Sequence, residues 1–262
     1  MTEKNRIKAL FERKPKNVLS VFCTAGYPNF DSIVPVIKAL QDAGADMVEI
    51  GMPFSDPTAD GPVIQHSNNV AIGNGMTIAH LFEQIAKIRD EIHIPLVLMG
   101  YLNPPMQYGW EKFLDQASAC GIDGLILPDL PVREFKTEYQ KGIESRGLTN
   151  IFLVTPQTPE SRVREIDALT DGFIYVVSTN TITGGHVDFE AGQKDYFKQI
   201  ESYGLKNPAL VGFGIRDKYT FDVACKYLNG AIIGTAFIKA LENTEDIPSS
   251  VTAFVKSIKG EG

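Results

Sequence analysis

Short apolar runs alternate with amphipathic segments along the whole chain. The apolar runs are rich in Val and Ile and too short for helices, so they predict buried strands. Eight such runs occur, in the order LSVFCTAG, DMVEIG, PLVLMGY, GLILPD, NIFLVTP, GFIYVVS, PALVGFGI and GAIIGTA. The segments between them carry apolar residues at helical spacing, as at Ile33, Val36, Ile37 and Leu40. This alternation of strand and helix favours an α/β fold with a parallel sheet.

The number of repeats indicates a closed sheet. Eight strand–helix units in 262 residues match the size of a single (β/α)8 TIM barrel, and we expect residues 1–262 to form one domain. The segment Arg6–Arg13 predicts an extra N-terminal helix that closes one end of the barrel. An open doubly wound sheet is the alternative, although it often has a GxGxxG turn after its first strand, where this chain has TAGYP.

Glycines precede several of the apolar runs. The left-handed backbone that glycine adopts cheaply is common at helix C-termini. We therefore expect helices to end in this way at four positions, namely Gly44, Gly121, Gly172 and Gly230.

Charge and cysteine content narrow the class of protein. The net charge of −7 argues against nucleic acid and anionic membranes as partners. No apolar run approaches the ~20 residues that span a bilayer, and the charged first residues lack a signal peptide core, so we expect a cytoplasmic protein. The three cysteines, which fit neither a disulfide framework nor a zinc site, predict buried reduced thiols.

Carboxylates mark the second predicted strand and the loop after it. In a barrel the active site lies where the strands end, and Glu49 lies within an apolar run close to such an end. A carboxylate there is either half of a structural ion pair or a proton-transfer group. Asp56 and Asp60 follow in the loop, where acids often serve only solvation or helix capping, and Asp60 precedes Gly61 in a position that could cap a helix.

Three later loops carry glycines and hydroxyls. Gly212 and Gly214 end the seventh predicted strand, and Gly234 and Thr235 end the eighth. This pair of loops often binds a phosphate in barrels, although glycine turns also serve packing alone. The loop after the sixth strand, STNTITGGHVD, has the composition of a mobile lid or of an ordinary surface loop.

Residue types that are missing from the predicted strand ends also restrict the chemistry. No Lys occurs there, which argues against a Schiff-base aldolase. The four His residues form no ligand set with the acids, which argues against a metal enzyme. With these two classes of enzyme set aside, we expect metal-free acid–base chemistry on a phosphorylated substrate.

The motif GMPFSDPTADGPVIQ resembles the signature of the tryptophan synthase alpha subunit family. The motifs TAGYP, LPDLP, VGFGI and GAIIGTA extend the resemblance through the whole chain. The resemblance implies a (β/α)8 barrel that cleaves indole-3-glycerol phosphate to indole and glyceraldehyde 3-phosphate. It implies no cofactor in this chain, and an α2β2 complex with a pyridoxal-phosphate-dependent β subunit that receives the indole.

The resemblance also implies residue roles. Glu49 is the acid–base group, and Asp60 holds the indole N–H. The remaining positions surround the indole and glycerol (Phe22, Tyr101, Tyr175), form a lid over residues 179–185 (Thr183, Gly184), bind phosphate (Gly212, Phe213, Gly214, Gly234, Thr235) or touch the β subunit (Asp56, Asn103). Thr181 stands where members often have Gly, and Thr235 where many have Ser.

Two kinds of rival function remain. One is another phosphate-binding barrel enzyme, such as an isomerase or an indole-glycerol phosphate synthase, although the synthase would need a strand-end Lys, and none is present. A catalytically inactive barrel that regulates a partner would not need Glu49 and Asp60.

Overall fold

The computed structural model describes residues 5–58, 60–178 and 186–261, with residues 186–191 as backbone only. Eight parallel strands form a closed barrel in chain order. They are β1 (Val18–Thr24), β2 (Met47–Gly51), β3 (Leu96–Met99), β4 (Gly124–Ile126), β5 (Thr149–Val154), β6 (Ile174–Val177), β7 (Ala209–Gly212) and β8 (Gly230–Ile233). Because β8 pairs with β1 in parallel, the TIM barrel is confirmed and the open sheet is wrong.

Helices cover the outside of the barrel. They are α1 (Arg6–Arg13), α2 (Ile33–Asp42), α3 (Pro62–Gly73), α4 (Ile78–Ile88), α5 (Asn103–Tyr108), α6 (Trp110–Ala119), α7 (Val132–Glu134), α8 (Gln140–Glu144), α9 (Glu160–Leu169), α10 (His186–Ser202), α11 (Lys218–Tyr227), α12 (Thr235–Ala240) and α13 (Ile247–Lys259). One turn of π-helix, Phe135–Tyr139, joins α7 to α8. No helix of the described ranges is both long and apolar enough to span a membrane.

The predicted N-terminal helix closes the barrel at the amino ends of its strands. Ile7 and Leu10 of α1 are buried in the barrel interior, in one cluster with Val18 of β1 and Met47 of β2. The Asn5 side chain accepts a hydrogen bond from the N–H of Ile7, so it caps the helix. The apolar face of α1 therefore seals this end, and the opposite end is left for function.

The expectation about helix-ending glycines is half right. Gly44 and Gly121 have the left-handed backbone, with φ of +88° and +75°. Gly172 and Gly230 do not, and close packing accounts for them instead. A Cβ atom on Gly230 would lie 2.1 Å from the Val18 carbonyl oxygen, and one on Gly172 would lie 2.7 Å from a methyl carbon of Thr149.

The three cysteines are buried and free, as predicted. Burial raises the pKa of each thiol, to about 11 at Cys120 and to about 12 at Cys225. The thiols therefore stay protonated and pack as small apolar groups.

Candidate active site

A pocket of about 60 Å³ lies at the carboxyl ends of the barrel strands. It is mostly apolar, and Asp60 is the one carboxylate among the described residues that line it. The lining residues are Phe22, Gly51, Met52, Phe54, Pro57, Asp60, Asn68, Met99, Gly100, Tyr101, Pro128, Leu153 and Phe213. The structure thus brings Phe22, Asp60, Tyr101 and Phe213 together around one cavity, although they come from four different loops or strands.

Glu49 is a buried residue of the barrel, next to this pocket. It lies in the middle of β2, in register with Phe22 of β1 and Val97 of β3, and its side chain is fully buried. Oε1 accepts a hydrogen bond of 3.1 Å from the Ser20 hydroxyl, whereas Oε2 has no hydrogen-bond partner. Neither oxygen is bonded to a cation of the described residues, and no cation shifts the pKa of Glu49, so the structural ion pair is wrong for this part of the chain.

The environment of Glu49 favours its neutral form. Burial raises the pKa of the carboxyl to about 8, and the hydrogen bond from Ser20 offsets part of that rise. Glu49 is therefore protonated at neutral pH and close to the point at which it can also lose the proton. Such a pKa suits a group that both donates and accepts a proton during one reaction.

Asp60 lies at the pocket wall and is half-buried. Burial raises the pKa of its carboxyl to about 6, so Asp60 is mostly ionised at neutral pH. It does not serve as the N-cap of α3, because that position is occupied by Gly61. Gln65 of α3 donates a hydrogen bond of 2.8 Å to the Asp60 carbonyl oxygen and so ties the loop to the helix.

Tyr175 lies between the two acids and the loop after β7, which is predicted to bind phosphate. The residue is 4 % exposed, and the pKa of its hydroxyl is raised well above the usual value by burial and then by the charges of Glu49 and Asp60. The ring packs edge-on against Phe213 at a centroid distance of 6.2 Å. Neither Tyr175 nor Glu49 lines the pocket, so both are enclosed beside it.

The loop after β7 has an uncommon backbone. Phe213 and Gly214 both have positive φ, +68° and +76°, and successive N–H groups in turns of this kind form concave sites for anions. Gly234 precedes α12, where Thr235 is the first residue. A Cβ atom on Gly234 would lie 3.4 Å from the Phe22 ring, which places the β8 loop beside the pocket.

The two residues predicted to touch a partner lie outside the pocket. Asp56 and Asn103 are exposed. Pro57, the neighbour of Asp56, is buried and lines the pocket, so one loop has both an outer and an inner side. The Asp129 carboxylate accepts hydrogen bonds of 2.9 and 3.1 Å from the N–H of Leu102 and holds the loop in front of Asn103.

Thr183 and Gly184, together with the predicted lid over residues 179–185, lie outside the described residues. Among the side chains that are described, no group of three or more His, Cys, Asp or Glu could hold a metal ion.

Four polar residues of the site were not predicted from the sequence. They are Ser20, which bonds Glu49; Gln65 and Asn68, which hold the loop after β2; and Ser178, which bonds the loop after β7. Ser20 carried a signal, because it is polar within an apolar run on the same strand as Phe22. Gln65 lies in the first turn of α3 and Ser178 follows β6, where polar residues are common, whereas Asn68 lies in the middle of α3.

Comparison with known proteins agrees with this geometry. A family model described as "Tryptophan synthase alpha chain" matches residues 9–261. The chain is 50% identical to the tryptophan synthase alpha chain of Flavobacterium psychrophilum over 254 residues, which is 97% of this chain and 99% of the relative. It is 49% identical to that of Bacteroides thetaiotaomicron, over 97% of this chain and 100% of the relative.

Solved structures show the same likeness. The crystal structure of the tryptophan synthase alpha chain from Legionella pneumophila superposes with a TM-score of 0.87 at 31% identity, covering 98% of this chain and 97% of that one. A chain of the tryptophan synthase complex from Pyrococcus furiosus gives 0.83 at 31% identity, covering 94% and 98%. The chain therefore belongs to the tryptophan synthase alpha chain family.

Proposed function

We propose that this chain, as one domain over residues 1–262, cleaves indole-3-glycerol phosphate to indole and glyceraldehyde 3-phosphate by acid–base catalysis without a metal or a cofactor of its own. The observation that carries the proposal is Glu49. It is a fully buried carboxyl, unpaired at Oε2, beside an apolar pocket whose wall contains a second acid, Asp60. Family membership supports the choice of substrate.

Glu49 carries out both proton transfers, and Asp60 stabilises the positive charge that the first one creates. Neutral Glu49 donates its proton to the indole carbon that carries the glycerol chain, and the ring nitrogen becomes positively charged. Ionised Asp60 accepts a hydrogen bond from that N–H and stabilises the charge. The Glu49 carboxylate then takes the proton of the adjacent glycerol hydroxyl, the carbon–carbon bond breaks, its electrons return to the ring, and the hydroxyl carbon becomes the aldehyde.

The substrate must widen the cavity in order to bind. The pocket volume is about 60 Å³, whereas pockets for ligands of this size occupy ~300–1,000 Å³. The rings of Phe22 and Phe213 border it, so their displacement would open a path to Glu49. The phosphate then binds to the backbone N–H groups of Phe213 and Gly214 and to the loop of Gly234 and Thr235.

The direct test is release of indole from indole-3-glycerol phosphate by the purified chain. We expect cleavage without added metal and in the presence of a chelator, and none of the dephosphorylated compound at the same concentration. A chain that binds the phosphate ester but releases no indole, with or without a β subunit, would instead be the regulatory barrel. Conversion to another phosphate ester would indicate an isomerase.

The dependence of kcat/KM on pH should be bell-shaped. Catalysis requires protonated Glu49, so activity falls above about pH 8, and ionised Asp60, so activity falls below about pH 6. The measurement is indole formation from pH 5 to pH 9 at low substrate concentration. In the Asp60→Asn variant the acidic limb should disappear and the alkaline limb should remain. An acidic limb unchanged in that variant would contradict the role of Asp60.

We also propose that the chain binds a tryptophan synthase β subunit, which carries the pyridoxal phosphate, in an α2β2 complex. The solved Pyrococcus furiosus assembly is a tryptophan synthase complex. In this chain the loop after β2 exposes Asp56 and turns Pro57 and Asp60 to the pocket. A partner that contacts Asp56 can therefore order the loop that carries Asp60.

Binding of a β subunit should accelerate cleavage ~10-fold or more, which corresponds to ~1.4 kcal/mol of coupling. The Asp56→Ala variant should lose most of this stimulation and retain its rate without the partner, because Asp56 lies outside the pocket. Steady-state indole formation with and without the β subunit measures both. Asp42→Ala, an equal charge change at the exposed end of α2, is the control. Full stimulation of Asp56→Ala by a demonstrably bound partner would contradict this role.

A further inference from the structure

We propose that Ser178 is a positioning residue that holds the loop after β7 in its anion-binding conformation; this inference rests on the proposed function. Ser178 directly follows β6 and is 2 % exposed. Its hydroxyl donates a hydrogen bond of 2.6 Å to the carbonyl oxygen of Phe213 and lies 3.3 Å from that of Gly212. Its N–H donates a further bond of 3.3 Å to the Gly212 carbonyl.

The loop needs such a support because its conformation is unfavourable. Phe213 has φ of +68° although it carries a β-carbon, and a non-glycine residue in this region costs ~1–2 kcal/mol. Such a conformation persists only where the surroundings impose it. Two contacts hold Phe213 here: the Ser178 hydroxyl, just after β6, bonds its carbonyl oxygen, and the Tyr175 ring of β6 packs on its side chain.

The hydrogen bonds also set the direction of the N–H groups. In a trans peptide the C=O and the following N–H point in opposite directions. Since the carbonyls of Gly212 and Phe213 point at Ser178, the N–H groups of Phe213 and Gly214 point away from β6. Neither N–H donates a hydrogen bond to another described residue, so both are available to a bound phosphate. Ser178 would thus act on the ligand through the backbone, without touching it.

Two substitutions of Ser178 distinguish the effect of its hydrogen-bond donor from the effect of its volume. Ser178→Ala removes the donor, and Ser178→Cys keeps nearly the same volume but offers only a weak S–H donor. The probe is inorganic phosphate, measured as inhibition of indole formation and by calorimetry on the full chain. For both variants we expect ~10-fold weaker phosphate binding and a similar rise in KM, equivalent to ~1.4 kcal/mol, with kcat changed less than ~3-fold.

Ser118→Ala is the matched control. The Ser118 hydroxyl donates a comparable hydrogen bond of 2.8 Å to the Arg146 carbonyl, away from the loop after β7. This variant should leave phosphate binding unchanged. Phosphate binding by Ser178→Ala or Ser178→Cys equal to that of the parent would overturn the inference, as would a loss of kcat at unchanged phosphate affinity. A parent chain that binds phosphate but releases no indole would refute the proposed function alone, since the comparison of phosphate affinities remains valid.

Discussion

Replacing Glu49 by Gln should reduce the rate of indole formation by ~10²–10⁴-fold, the usual contribution of general acid–base catalysis. The amide has nearly the same shape as the carboxyl and can still accept the hydrogen bond that Ser20 donates to Oε1. It cannot deliver a proton to the ring carbon or take one from the glycerol hydroxyl. Initial rates at saturating substrate measure the loss, and inhibition by inorganic phosphate should be unchanged. Glu83→Gln, at an exposed position of α4, is the control.

The same variant should be more stable than the parent at neutral pH, and this result would exclude unfolding as the cause of inactivity. Burial raises the pKa of Glu49 from 4.5 to about 8, so the folded chain holds a proton that the unfolded chain loses. Between these two pH values the raised pKa of Glu49 lowers the stability of the parent by about 1.4 kcal/mol per pH unit, and the Gln variant lacks this contribution. Denaturant unfolding at pH 5 and pH 7.5 should show the difference growing with pH. Indole formation near the parental rate would contradict the assignment of Glu49.

Replacing Gly212 by Ala should lower kcat/KM by ~10²-fold, because displacements of about 1 Å in an active site have effects of this size. A Cβ atom at this position would lie 2.0 Å from the Tyr175 hydroxyl oxygen and 2.3 Å from the adjacent ring carbon. Tyr175 is enclosed, so its ring cannot give way without disturbing Phe213, which packs on it. The added methyl group therefore displaces Tyr175 from its position near Glu49 and Asp60, and it also displaces the loop that contains Phe213.

Gly73→Ala is the matched control for this substitution. Gly73 ends α3, and a Cβ atom there would meet nothing within 4 Å. We expect it to keep the parental kcat/KM, with a small gain in thermal stability. A Gly212→Ala variant with parental activity would show that the position of Tyr175 does not matter for catalysis.

The fold was predictable because its signal is local. Each strand of a parallel barrel is buried on both faces, so it appears in the sequence as a short apolar run, and each helix shows one apolar face. Gly172 and Gly230 were misread because their requirement is not local. Both need close contact with another strand, and no periodicity along the chain reports that contact.

The sequence predicted most residues of the candidate site, but it did not predict the hydrogen-bond partners that surround them. Glu49 stood out as a carboxylate within an apolar run, and the glycine pairs stood out at strand ends. Ser20 and Ser178 were missed because their partners lie 29 and 35 residues away, on a neighbouring strand and just after one, and the sequence does not display the register of these strands. The roles of Thr183 and Gly184 stay predictions, since both lie outside the described residues.

The sequence by itself determined the order of strands and helices, and it determined which side chains lie near the strand ends, because both follow from residue spacing. Only the tertiary structure decided what surrounds those side chains. The pairing of β1 with β2 puts Ser20 beside Glu49 and leaves Oε2 without a partner. Burial then raises the pKa of Glu49 to about 8 and that of Asp60 to about 6. Desolvation depends on every neighbour in space, and most of these neighbours are distant along the chain.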